Sequence, residues 1–506
     1  MAKKHTVDWN KVDEFLAGLE TTEKHEIEVR REAIPLVFVP GIMGTHLRRP
    51  GTDGKGEDAD ELPNLRWSTD TGWMLSNLIF ACSDGARRRS LLVGTPDQSF
   101  DPNYLEVDED SPPGDGFRGI MEDYHKFLKV LREHDWGLLS KYFVLPVYAV
   151  GYNWSDDVKN AGTYLAKRID AIIEESRKVT GLCEKVILIS HSMGGLVTRT
   201  ASEISGAQGK VAGIIHGVQP VTGAPGAYWR MKAGFEGFNS LGLVQRALGN
   251  DGPKVTAVLG NIPGGLQLMP NKVYQTTNQE SEWLTVTVDG NAVKKLPENG
   301  DPYAEIYRIK AIVHPKKGEN PSQNIYWGLV DPELLNPEKL SPEGGDAHDA
   351  MSSELDKAWD MYLQNLKLAE TLHDELCPKG GVPKQHPHTL TMTGIGHKSV
   401  SVIEMRVESN WVRSEPYPNQ GFRGFFTDAA GKDWQAVLQD PAEIGDGTVP
   451  WSSGAALETA ERPKPGDVRL EAEHQPAYED KAVQAWAIEA VTAMVKQRYH
   501  EQRKGK

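Results

Sequence analysis

The chain is poor in cysteine. Cys82, Cys183 and Cys377 are the only three in 506 residues, and they stand far apart. That is too few for a disulfide framework or a four-thiolate metal site. Cys183 precedes an apolar run and reads as a small core residue. A Cys82–Cys377 bridge is the one pairing that invites a check. Long apolar runs are lacking too. None reaches the roughly 18 residues of a membrane-spanning helix. Met1 to Glu20 has no apolar stretch after its basic start, so it does not read as a secretory signal. The expectation is synthesis in the cytoplasm, with any export by a signal-independent route.

Basic charge is also short. Lys and Arg number 56 against 71 Asp and Glu, a net charge of −15. Such a surface argues against nucleic acid as a partner. It also argues against simple electrostatic docking on anionic bilayers. A lipid substrate is compatible with it, reached by transient contact of an apolar lid with a membrane surface.

What is present is an ordinary globular composition. Hydrophobic residues make up 39 %, enough for a sizeable core. The length fits one large domain with a big insertion, or two or three domains. Ile34 to Val39, Tyr142 to Val150, Lys185 to Ser190 and Val211 to Gly217 read as buried strands. Helical patterns lie between them, over Gly119 to Glu133, 158–178 and Leu196 to Ile204. This alternation predicts an α/β fold with a mostly parallel sheet. The rhythm breaks from 219 to 386, which predicts an inserted cap. It resumes at Leu390 to Ile395, with a last strand at Val468 to Glu471 and a closing helix over Lys481 to Arg498. The expected division is 1–218 and 387–506 as the two parts of the core, with a surface insertion near 50–115 and the cap between.

Ser192 lies in Ser190-His191-Ser192-Met193-Gly194-Gly195, directly after a strand and before a helix. A serine on such a turn projects its hydroxyl above the sheet, and small neighbours make the turn feasible. The common G-x-S-x-G pattern has Ser190 in place of its first glycine. The helix N-terminal amides also favour a developing anion. One oxyanion donor should be the Met193 amide. The other should come from the loop after the first strand, Pro40-Gly41-Ile42-Met43-Gly44, at Ile42 or Met43. No Walker lysine and Ser/Thr follow these glycines, so a phosphate loop is disfavoured.

A serine nucleophile of this fold is followed in the chain by an acid and then a histidine. Asp446, in Gly445-Asp446-Gly447-Thr448-Val449-Pro450, is the best acid. His474, in Glu473-His474-Gln475-Pro476, is the best base. His386, His388 and His397 are rivals. The first two enter a strand rather than leave it, and His397 precedes the acid. A zinc site from those three lacks a clear ligand set.

Taken together, VFVPGIMGTHL (Val37 to Leu47), YNW (Tyr152 to Trp154), LISHSMGGLV (Leu188 to Val197), PGGLQLMP (Pro263 to Pro270) and GDGTVPWSS (Gly445 to Ser453) with His474 resemble one branch of the α/β-hydrolases. It is the lecithin–cholesterol acyltransferase-like and GPI inositol-deacylase-like lipase branch, which includes bacterial lipase effectors. Two departures stand out. Asn153-Trp154-Ser155 replaces the branch's D-W-R turn, and Ser190 stands where glycine or alanine is usual.

The resemblance implies an α/β-hydrolase fold with a large cap. Ser192 would be the nucleophile, Asp446 the triad acid, His474 the base, and Met43 and Met193 the oxyanion amides. It implies a lipase or phospholipase working through an acyl-enzyme, with no metal or cofactor. A lipid acyltransferase and a catalytically silent interaction protein are the alternative readings. Leu243, Val244, Leu266, Leu268 and Met269 are the expected apolar lining for a lipid or phospholipid ester. For an effector, the resemblance further implies an immunity or secretion partner protein.

Overall fold

The computed structural model describes residues 2–19, 22–50, 66–67, 84–94, 101, 103–109, 117, 119–235, 248–311, 325–337, 347–408, 425–427, 433–439, 442–458 and 466–504. Cys82, Leu243, Val244 and most of the insertion near 50–115 lie outside them.

The strands that matter here are β1 (Leu36–Val39), β2 (Val147–Ala149), β3 (Val186–His191), β4 (Val211–Gly217), β5 (Leu284–Val288), β6 (Asn291–Leu296), β7 (Thr389–Ile395), β8 (Ile403–Glu408), β9 (Phe425–Thr427), β10 (Asp433–Gln439) and β11 (Val468–Glu471). The helices are α1 (His125–Glu133), α2 (Val158–Thr180), α3 (Gly194–Glu203), α4 (Pro225–Ala233), α5 (Gly252–Leu259), α6 (Pro263–Leu266), α7 (Ala347–Leu376) and α8 (Lys481–Lys504).

Among the described residues, six strands form the central sheet in the order β11-β7-β4-β3-β1-β2. All five pairings are parallel. Strands buried on both faces read as apolar runs, which is why β1, β3 and β4 are visible in the sequence. Every residue of β1, β3 and β4 is buried. Burying one Ile or Leu of this kind stabilises the fold by about 2 kcal/mol. The α/β expectation holds: a mostly parallel sheet is flanked by helices, with inserted helical segments.

Chain order along this sheet reverses beside β1. The chain leaves β1 for β2 on one side, then returns to β3 on the other. Such a switch point opens a crevice at the carboxyl ends of the two strands. The loop Pro40–Gly44 and Ser192 both start there.

Helix α2 shows how locally the covering helices are specified. The Asp157 side chain accepts the Lys159 amide at the N-terminus. Gly181 closes the other end at φ 80°, a conformation glycine adopts freely. Val158, Ala161, Leu165, Ile169, Ile172 and Ile173 form its buried stripe. The helix expected from Gly119 begins only at His125. Gly119 has φ +75° and a 3-10 turn fills 122–124, so the backbone turns before it coils. At the N-terminus Lys3–Asp8 pairs in parallel with His25–Arg30.

A second sheet, in the order β6-β5-β8-β10-β9, had no counterpart in the sequence reading. It joins strands from both sides of residue 386. Cys183 and Cys377 are buried free thiols. Burial pushes the Cys183 thiol up to about 12, in keeping with an inert core residue. Among the described residues, no helix is long and apolar enough to cross a membrane.

Candidate active site

The chain turns sharply at the end of β3. Ser192 has φ 51°, in the left-handed region that costs a non-glycine residue of order 1–2 kcal/mol. The turn is held from both sides, by Ser192 N–H donating to the Gly217 carbonyl (3.0 Å) and Gly195 N–H donating to the Ser192 carbonyl (2.9 Å). The start of α3 then passes against the end of β1. A Cβ at Gly194 would lie 2.4 Å from the Pro40 carbonyl oxygen and 2.5 Å from that of Val39, so only glycine fits.

Ser192, His474 and Asp446, remote in sequence, form one hydrogen-bonded line. His474 Nε2 is 2.8 Å from Ser192 Oγ. His474 Nδ1 is 2.8 Å from Asp446 Oδ2. The carboxylate is fixed independently. Its Oδ1 accepts the amides of Thr448 (2.8 Å) and Val449 (2.6 Å). The His474 amide donates to the Asp446 carbonyl at 2.8 Å, so the two loops are laced together. On β7, a Cβ at Gly394 would lie 2.5 Å from Asp446 Cβ; the strand leaves a notch for the acid. Because a carboxylate only accepts, His474 Nδ1 carries the proton and Nε2 presents a lone pair to the serine.

The Pro40–Gly44 loop sits across the crevice. Met43 has φ 62°, a second strained non-glycine residue beside Ser192. Among the described residues, neither the Met43 nor the Met193 amide donates to a protein acceptor. Buried amides normally find partners, so these two are available to an oxygen atom. Ser192 itself is 4 % exposed, so the site is nearly closed over.

The other expected site residues are placed as follows. Leu266, at the end of α6, and Met269 are fully buried, and Leu268 packs half-buried on the core. Helix α6 lies over the site, since a Cβ at Gly264 would be 3.2 Å from Met193 Cε. The rival histidines turn elsewhere. His388 faces Gln497 and Glu501, and His397 Nδ1 lies 3.9 Å from Glu473. Among the described residues, no three His, Cys, Asp or Glu side chains cluster as a metal site.

Two residues that sequence reasoning passed over touch this constellation, His191 and Tyr124. His191 is visible in the motif but served there only as a neighbour of Ser192. Tyr124 carries no local signal, because its role depends on a turn 68 positions upstream of the serine.

Acid sensitivity is built into the same region. Burial pushes His191 and His216 down to about 3 and His373 to about 4. Below the ordinary histidine value of 6.5 the unfolded chain therefore binds protons that the fold refuses. The stability from neutral burial is complete above about pH 6.5 and is lost as pH falls toward the folded values. Asp156, pushed up to about 6 by burial, and Glu32, raised by burial, oppose this by holding protons in the fold. Burial lowers His386 as well, so four histidines stand against two carboxylates and the net effect is a loss of stability as pH falls below about 6.5. Urea unfolding at pH 5 should give a lower free energy than at pH 6; an equal or higher value contradicts neutral burial.

Residues 149–240, which span β3, α2, α3 and β4, match the family model described as a PGAP1-like alpha/beta domain. Most of the chain also superimposes on a solved protein. The fold is that of the α/β-hydrolases. The solved relative is a chain in the crystal structure of the Tle4–Tli4 complex, at 21 % identity and a TM-score of 0.59. The match covers 92 % of this chain and 99 % of that one, so the two share a fold. No curated protein matches the chain at a significant level.

Proposed function

We propose that the chain is a serine-dependent lipid carboxylester hydrolase of the lipase or phospholipase type. The observation that carries this reading is the unbroken line from Asp446 through His474 to Ser192, with both contacts at 2.8 Å. Ser192 Oγ attacks the ester carbonyl carbon while His474 Nε2 takes its proton. The carbonyl oxygen becomes an oxyanion held by the Met43 and Met193 amides. The tetrahedral species collapses, the C–O bond to the alcohol breaks, and His474 returns the proton to the departing oxygen. Water then repeats the sequence on the acyl-enzyme and releases the carboxylic acid.

The near-complete burial of Ser192 requires the cover to shift before an acyl chain enters, as lids do in other closed sites. Leu266, Leu268 and Met269, on and after α6, are proposed to line the exposed groove. Similarity to a chain from a two-protein complex supports a protein partner here as well, in the immunity or secretion role expected from the sequence.

The test is lipid profiling of phospholipid vesicles after incubation with the protein. Wild type should release free fatty acid and lysophospholipid. Ser192→Ala, folded by circular dichroism, should lose at least about 10³-fold in rate. Fatty acid release by Ser192→Ala at the wild-type rate overturns the reading. A new ester in place of free acid reassigns the step to acyl transfer.

A further inference from the structure

His191 and Tyr124 join the two halves of the site. His191 is the last residue of β3, and its ring is enclosed. Its Nε2 lies 2.7 Å from the backbone carbonyl of His474. A carbonyl only accepts, so Nε2 carries a proton. The ring is neutral, because burial pushes it down to about 3 with help from the neighbouring His474. Its Nδ1 is therefore a bare acceptor. Tyr124 Oη stands 2.9 Å from that nitrogen and must donate to it. The same oxygen is left to accept the Gly41 N–H, at 3.3 Å. Every proton in this line is assigned by the chemistry of its neighbours. The line runs from the peptide of the base to the loop that carries Met43.

Packing fixes the line in place. The Tyr124 ring lies 4.9 Å from Phe38 and 5.5 Å from the His191 ring, centroid to centroid. A Cβ at Gly44 would be 2.9 Å from Tyr124 Cε2, so the oxyanion loop closes directly on the tyrosine. Tyr478 closes the box from below and donates to the Ser190 carbonyl at 3.0 Å.

We propose that Tyr124 and His191 are positioning residues that set the distance between the proton acceptor and the oxyanion donors. The proposal rests on the serine-hydrolase reading. It assigns neither residue a proton transfer. His191 must stay neutral while His474 becomes cationic, and its Nε2–H holds the His474 backbone during that change. Tyr124 holds the Gly41 end of a loop whose Met43 is strained. Strain at one position persists only when the surroundings fix it. Losing the bridge should therefore loosen the donors that act on the transition state, more than those that bind the ground state.

The measurement is a kcat and KM comparison on a p-nitrophenyl ester, with active enzyme counted by fluorophosphonate titration. Tyr124→Phe keeps the ring and removes the bridging oxygen. Its kcat per titrated site should fall about 10- to 100-fold with KM within about twofold, the pattern expected for loss of oxyanion alignment. The pH dependence should be unchanged, since Asp446 and His474 are untouched. His191→Phe should give a similar loss. The double variant should lose no more than the worse single, because either change breaks the same line. A merely structural role would lower the titrated amount and leave kcat per site at the wild-type value. That result, or single losses that multiply in the double variant, overturns the proposal. Should Tyr124→Phe fail to fold, His191→Phe alone decides by the same kcat criterion. Wild-type protein that fluorophosphonate does not label defeats the serine-hydrolase reading instead, so the two failures are distinguishable.

Discussion

Asp446→Asn should lower kcat by about 10³- to 10⁴-fold without unfolding the protein, the scale seen when a triad histidine is held in the wrong tautomer. The reason lies in how the carboxylate is held. Oδ1 accepts two backbone amides, from Thr448 and Val449. In the asparagine variant only the amide oxygen can accept both, so it must occupy the Oδ1 position. The NH₂ group is then turned toward His474 Nδ1 at the Oδ2 position. A donor there demands an unprotonated Nδ1. His474 takes its proton on Nε2 and can no longer accept one from Ser192. The geometry survives and the base is lost. Substrate affinity should change little, because Asp446 is 2 % exposed and lies behind the histidine. Steady-state kinetics with a soluble ester, beside a thermal melt of the same preparation, measures both quantities. A variant that retains a tenth or more of wild-type kcat rules out the assigned tautomer.

Gly194→Ala should be strongly destabilising. The added carbon would meet two backbone carbonyl oxygens, of Pro40 and Val39, at 2.4 and 2.5 Å. Neither can rotate away as a side chain would. Relief requires α3 to retreat from β1, two elements at the centre of the core. Overpacking of buried sites costs about 1–3 kcal/mol, and a clash with backbone on a fixed strand belongs at or above the upper end. The same retreat would move the Met193 amide away from the Pro40–Gly44 loop. The expected result is a melting temperature lowered by several degrees, about 2–4 °C per kcal/mol for large domains, with little active enzyme in what remains folded. Unchanged melting and activity would mean that α3 and β1 are not packed this closely.

Much of the site was legible because it sits where pattern and chemistry coincide. Doubly buried parallel strands must be apolar throughout, so β1, β3 and β4 stand out, and their ends locate the glycine loop and Ser192. The order acid then histidine pointed to Asp446 and His474, and the structure brings both to Ser192. The second sheet was missed for a physical reason. β6 has one buried residue, Leu296, among exposed and half-buried ones, so it lacks an apolar pattern. β8 does alternate, with Ile403, Met405 and Val407 buried, but its partner β5 lies far back in the chain. Period-2 alternation gives a strand and says nothing about its mate. The Tyr124–His191 line was illegible for a related reason. A tyrosine in a 3-10 turn gains meaning only when the fold lays it against the oxyanion loop.

In the proposed chemistry Ser192 Oγ is the attacking atom. Treating the protein with a fluorophosphonate and mapping the adduct by peptide mass spectrometry tests it most directly. The expected result is a single adduct on Ser192, absent in Ser192→Ala and formed far more slowly in Asp446→Asn. An unlabelled protein, or an adduct on another residue that persists in Ser192→Ala, would contradict it.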